Sequence, residues 1–182
     1  MQYITRSGTF DSGHRVMNER MKCFNLHGHT YLYDLTFSFD TMKEIGYAID
    51  FKEIKRVACQ WIDDLLDHGF IANPHDLIYI QAAEVENSKI WKMSLEGSDN
   101  YCNPSVENLA REIFLAMEIL FEEYTDLKMH ELKLHETPKC FTICNDGSIP
   151  DRERKNFEEA RYDEIKKYAV EKGVVEYDDR LQ

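Results

Sequence analysis

Positive charge is what this sequence has least of. Lys and Arg number 22 against 34 Asp and Glu, a net charge of −12 over 182 residues, and that balance disfavours non-specific binding to nucleic acid or to anionic membrane. Long apolar runs are missing too. Nowhere do about 18 apolar residues stand together, and Met1-Gln2-Tyr3-Ile4-Thr5-Arg6 has no apolar signal core. The cysteines, at 23, 59, 102, 140 and 144, are odd in number and lack a small-scaffold spacing, which argues for reduced thiols rather than a disulfide framework. The expectation is a soluble, cytoplasmic protein. Its 182 residues, 43% of them hydrophobic, suit one domain with a core that needs no disulfide help. A phosphate-bearing substrate on so acidic a chain would need a local basic patch. Arg15, Arg20 and Lys22 are its candidate suppliers, and ordinary loop solubility is the alternative reading of all three.

Against that background one stretch is dense in chemistry: Cys23-Phe24-Asn25-Leu26-His27-Gly28-His29. On an extended segment side chains alternate, so His27 and His29 point the same way with room for one ion between them. Two imidazoles do not complete a zinc site, since a catalytic zinc takes three protein ligands and leaves a fourth position for water or substrate. His14, in Phe10-Asp11-Ser12-Gly13-His14-Arg15, is the nearest third ligand, and the spacing suits two strands joined by a loop. Cys23, four residues before His27, either closes a structural Cys-His-His-His site or stays off the metal as a reactive thiol.

Strand and helix periods supply the frame. Tyr3 to Phe10 reads as a strand that delivers His14, with Gly8 marking a bulge. Tyr31, Tyr33, Leu35, Phe37 and Phe39 alternate with polar neighbours and predict the clearest strand. Asp50 with Glu53 resembles a capping box that starts a helix, whose apolar face is Phe51, Ile54, Ala58, Trp61, Ile62, Leu65 and Leu66 and whose stop is Gly69. A second helix follows Pro104, with Ser105 as N-cap and a stripe running from Val106 to Phe121. Strands are expected around 129–137 and 139–145. Between the helices, 73–102 is a departure bracketed by Asn73-Pro74 and by Gly97-Ser98-Asp99-Asn100. It is read as a surface excursion in preference to an added edge strand at 89–93. From Pro150, Phe157, Ala160, Ile165, Tyr168 and Ala169 predict a peripheral helix followed by a loose end.

Taken together, Phe-x-x-x-His followed by Cys-x-x-x-His-Gly-His resembles the 6-pyruvoyltetrahydropterin synthase and 6-carboxytetrahydropterin synthase family. Asp50-Phe51, Leu66-Asp67-His68, Asn103 to Leu109 and His135-Glu136-Thr137-Pro138 look like that family's landmarks in that family's order, over roughly residues 3 to 145. The resemblance implies an α+β tunnelling fold (T-fold) across a single domain, 1–182. Its four-stranded antiparallel sheet carries two helices on one face, and subunits join edge to edge into a barrel and a homo-hexamer. The 73–102 stretch is then an insertion, and 150–173 a peripheral C-terminal helix.

The resemblance also implies Zn2+ on His14, His27 and His29, and conversion of 7,8-dihydroneopterin triphosphate to a tetrahydropterin with loss of triphosphate. Cys23, Asp67 and His68 would move protons; the residues alone favour His68 as a stabiliser of its helix dipole, and the resemblance reverses that order. Glu136 follows Leu132 and Leu134 on an apolar strand face, where a carboxylate needs a matched donor. In the resembling family it anchors the pterin edge, and a solvent-facing strand end is the alternative. Ser105 and Glu107 are secondary substrate contacts by resemblance only, Glu107 being a dipole-favoured first-turn acid otherwise. The 6-carboxytetrahydropterin product of the queuosine and deazapurine route is the expected activity. The pyruvoyl product of the tetrahydrobiopterin pathway and a non-catalytic zinc-holding, pterin-binding oligomer are the alternatives.

Overall fold

The computed structural model describes residues 1–174. Alternation drives the centre of the sheet. β1 (Gln2–His14) and β2 (His27–Phe39) run antiparallel in unbroken register from Gln2↔Phe39 to His14↔His27. Tyr31, Tyr33, Leu35 and Phe37 are buried on one face of β2 while Thr30, Leu32 and Asp34 turn away. Gly8 is not a bulge. It lies opposite Tyr33, and a Cβ there would stand 2.2 Å from the Tyr33 hydroxyl, so the residue is needed for close approach.

The sheet has six strands where four were expected, in the order β4-β3-β1-β2-β5-β6. β5 (Lys128–Thr137) and β6 (Cys140–Asn145) continue it antiparallel beyond β2. On the other side β3 (Gly69–Ala72) and β4 (Ile90–Lys92) add parallel strands to β1. Gly69 therefore opens a strand instead of stopping a helix. The turn falls on His68, whose φ of 54° is left-handed and whose N–H donates to the Asp11 carbonyl at 2.6 Å. The 89–93 piece is a real edge strand and not an excursion, because Trp91 and Met93 are buried.

One helical arm is composite: α1 (Phe51–Ile54), a π-helical turn (Lys55–Cys59) and α2 (Gln60–Leu65). Asp50 caps it by accepting the Lys52 N–H, but Glu53 turns inward to Arg56 and Tyr124 instead of closing a box, and Phe51 is exposed. A nine-residue helix, α3 (Leu77–Val85), follows β3. α4 (Val106–Leu120) buries Leu109, Ile113, Phe114 and Met117 against the sheet, with Ser105 accepting the Asn108 N–H.

α5 (Asp151–Glu171) packs on α4 through buried Phe157, Ile165 and Ala169, whereas Ala160 faces out. The expected loose end lies at 175–182, outside the described residues. Fully buried Glu112 of α4 accepts the Trp91 indole N–H at 2.8 Å and the Ser94 N–H, which ties β4 to the core. Burial pushes its carboxyl up to about 7. Among the described residues no helix is long and apolar enough to cross a membrane.

Candidate metal centre

His14 is the last residue of β1 and His27 the first of β2, so the pairing of the two strands sets the imidazoles side by side. His29 is two residues further along the same face. The ring centroids are 4.6 Å (His14–His27), 5.1 Å (His14–His29) and 4.8 Å (His27–His29) apart, and one ligand atom from each lies within 4.8 Å of the others.

Backbone carbonyls orient the rings. His14 Nδ1 is 2.8 Å from the Pro104 oxygen and His27 Nδ1 2.7 Å from the Asn25 oxygen. A carbonyl only accepts, so each Nδ1 carries the proton and each Nε2 keeps its lone pair. The Nε2 atoms of His14 and His29 are buried with no hydrogen-bond partner. A buried acceptor left unpaired costs about 1–3 kcal/mol, so an arrangement of such atoms converging on one point fits a cation. Electrostatics agree. Burial lowers the His14 pKa to about 4, with the other two imidazoles adding to the effect and the Pro104 hydrogen bond opposing it, and burial also lowers His29. Both rings are neutral, as ligands must be.

Glu136 joins the group. Its Oε1 stands 3.8 Å from the Nε2 atoms of both His14 and His29, and the side chain is 27% exposed. The carboxylate thus faces the histidines and not open solvent. β5 reaches this geometry through a register irregularity between His135 and Thr137. Tyr31, read from the sequence only as a strand residue, packs its ring 5.7 Å from His29 with its hydroxyl buried and unpartnered.

The remaining residues lie in two other places. Asp67 and His68 do pair, Nδ1 to Oδ2 at 2.5 Å, in the turn beyond α2 where the backbone has left the helix. The other Asp67 oxygen accepts the Asp11 N–H at 2.7 Å. The Asp67 hydrogen bond and charge hold the His68 pKa above the ordinary imidazole value, and His68 is 77% exposed. It borders a cleft of about 420 Å³ also lined by Asp11, Gly13, Gly28, His29 and Thr30. Cys23 is exposed in a short 3-10 turn (Lys22–Phe24), and its sulfur is not part of the histidine cluster. Ser105 is occupied as N-cap and Glu107 is exposed in the first turn of α4. Arg15 is engaged by Asp76, whereas Arg20 and Lys22 are exposed.

Comparison with known proteins places this geometry. The family model described as 6-pyruvoyl tetrahydropterin synthase matches residues 3–146. The chain belongs to the 6-pyruvoyl tetrahydropterin synthase family. A relative from Rickettsia felis named 6-carboxy-5,6,7,8-tetrahydropterin synthase is 36% identical over 142 residues, covering 75% of this chain and 95% of its own length. One of the same name from Aquifex aeolicus is 28% identical over 152 residues, covering 74% of this chain and 91% of its own. Among solved structures, 6-pyruvoyl tetrahydropterin synthase from Caenorhabditis elegans superposes with a TM-score of 0.56 at 17% identity, over 79% of this chain and 94% of that one. The fold is accordingly the family's T-fold.

Proposed function

We propose that the protein is a zinc-dependent 6-carboxytetrahydropterin synthase, converting 7,8-dihydroneopterin triphosphate to 6-carboxy-5,6,7,8-tetrahydropterin with loss of triphosphate, in the queuosine and deazapurine route. The observation that carries the reading is the convergence of three imidazoles with a carboxylate beside them. It occurs in a chain whose relatives bear that name. Zinc held by His14, His27 and His29 would supply a Lewis acid for the side-chain oxygens of the substrate.

The protein's own groups do the rest. Glu136 accepts the paired N–H donors of the pterin edge and so fixes which carbons lie near the metal. Cys23, as thiolate, takes and returns side-chain protons. His68, its pKa raised by Asp67, delivers a proton on the opposite side. Ser105 and Glu107 are left as secondary contacts. Active sites lie between subunits of a cytoplasmic homo-hexamer; this brings an exposed Cys23 and an exposed His68 to a shared substrate and covers the open sheet edges of β4 and β6.

The direct test is incubation with dihydroneopterin triphosphate and mass identification of the pterin. A 6-carboxy product supports the reading, a 6-pyruvoyl product replaces it with the tetrahydrobiopterin activity, and unchanged substrate leaves a non-catalytic pterin binder. Glu136→Gln keeps the size of the side chain and removes its charge. It is expected to weaken pterin binding by about 1.5–3 kcal/mol, the scale of a charged hydrogen bond, with zinc content unchanged. Calorimetry that finds unaltered pterin affinity, or a fall in zinc, would take the residue away from the pterin.

A further inference from the structure

Among the described residues no hydrogen bond, ion pair or ring contact joins the 73–102 segment to the three histidines, yet three of its side chains, Asp76, Tyr79 and Asn100, reach the loop that joins β1 to β2. Asp76, 2% exposed, grips Arg15 in a two-pronged ion pair, Nε to Oδ2 at 2.5 Å and Nη2 to Oδ1 at 2.7 Å. Tyr79, on the first turn of α3, lies under the same guanidinium at 4.4 Å and packs on Phe70 of β3. Phe24 is a second ring beside the Arg15 guanidinium, its centroid 5.1 Å away. Two aromatic neighbours and a bidentate carboxylate together fix a guanidinium far more tightly than a lone surface pair would. A second tie runs through Asn73, whose amide donates to Asn103 Oδ1 at 2.9 Å, while Asn103 clasps both the N–H and the C=O of Met17.

These ties converge on Cys23. Phe24, its neighbour, rests on Arg15, and the Cys23 carbonyl accepts the N–H of Val16, next to Arg15, at 2.8 Å. No residue of the loop from Val16 to Asn25 is itself buried, so the loop depends on such ties. We propose that the 73–102 segment is a positioning element for the Cys23 thiol, with Asp76 and Tyr79 holding Arg15, and Arg15 and Val16 holding the turn that carries the cysteine. Arg15 is thereby a structural cation and not a phosphate ligand. The inference rests on the reading of Cys23 as the proton-transfer base, but the segment's grip on the loop is measurable without any turnover.

The test uses Asp76→Asn, which keeps shape and loses the charge, and Tyr79→Leu, which leaves the ion pair intact and covers the case that the first variant does not fold. Each is alkylated with iodoacetamide across a pH series, modification of Cys23 being followed by peptide mass, and metal content, kcat and KM are measured on the same preparations. The expected result is an altered alkylation rate and pH midpoint at Cys23, kcat lower by about 10- to 100-fold as for a catalytic group displaced by an ångström, and unchanged KM and metal. Unaltered Cys23 reactivity overturns the proposal, as does a rise in KM alone, which would make Arg15 a substrate contact. If the parent chain turns over no pterin, the synthase reading fails by itself, and the alkylation series still decides whether the segment holds the thiol.

Discussion

The double variant His27→Ala/His29→Ala is expected to be folded and free of zinc, against about one ion per chain in the parent. Removing two of three ligands leaves a single imidazole, too little to hold a dication against water. The fold should tolerate the loss. Neither ring belongs to the apolar core, both are only partly buried, and the substitutions delete one of the two buried, unpaired nitrogens of the cluster. His14 is the poorer choice for this experiment because its ring is 1% exposed and braces the Pro104 carbonyl ahead of α4. Metal analysis beside circular dichroism decides the matter. Full zinc occupancy in the double variant would remove the site altogether, and every role assigned around it.

Cys23→Ala is expected to retain its zinc, its oligomeric state and its pterin affinity while losing turnover by about 10² to 10⁴, the usual scale for a general base. The sulfur sits outside the histidine cluster, in an exposed turn, so a closed four-ligand site would require the loop to refold around the metal. Loss of zinc together with activity would make Cys23 a ligand, and the open site proposed above would be wrong.

Much of this was legible because two periods are strong. The alternation of Tyr31, Tyr33, Leu35, Phe37 and Phe39 places His27 and His29 on the buried face without any further information. The stripe of α4 is equally plain. What the pattern cannot carry is pairing at a distance. β3 has four residues and β4 three, both parallel, and each acquires its identity only from a neighbour supplied by a distant part of the chain. The π-helical turn at 55–59 leaves the three-and-four spacing nearly intact and so stays hidden.

At the site, the three histidines follow from local spacing, whereas the contact of Glu136 with them depends on an irregularity in β5 that no motif announces. From the sequence Arg15 reads equally as a phosphate ligand near the metal loop and as an ordinary loop cation, and neither reading contains the ion pair it makes. Its partner, Asp76, stands 61 positions away in a stretch with no periodic signal.

The carbonyls of Pro104 and Asn25 bear on when the metal arrives as well as where. Each settles the protonation of its imidazole during folding, so the tautomer choice and the ring rotation are spent before any ion is present. Capture then becomes a simple encounter between a hydrated ion and a receptor whose rings are already set, first order in free metal, with no proton to release from His14, whose pKa burial lowers to about 4. A chain stripped by a chelator should for the same reason stay native and reload without passing through an unfolded state.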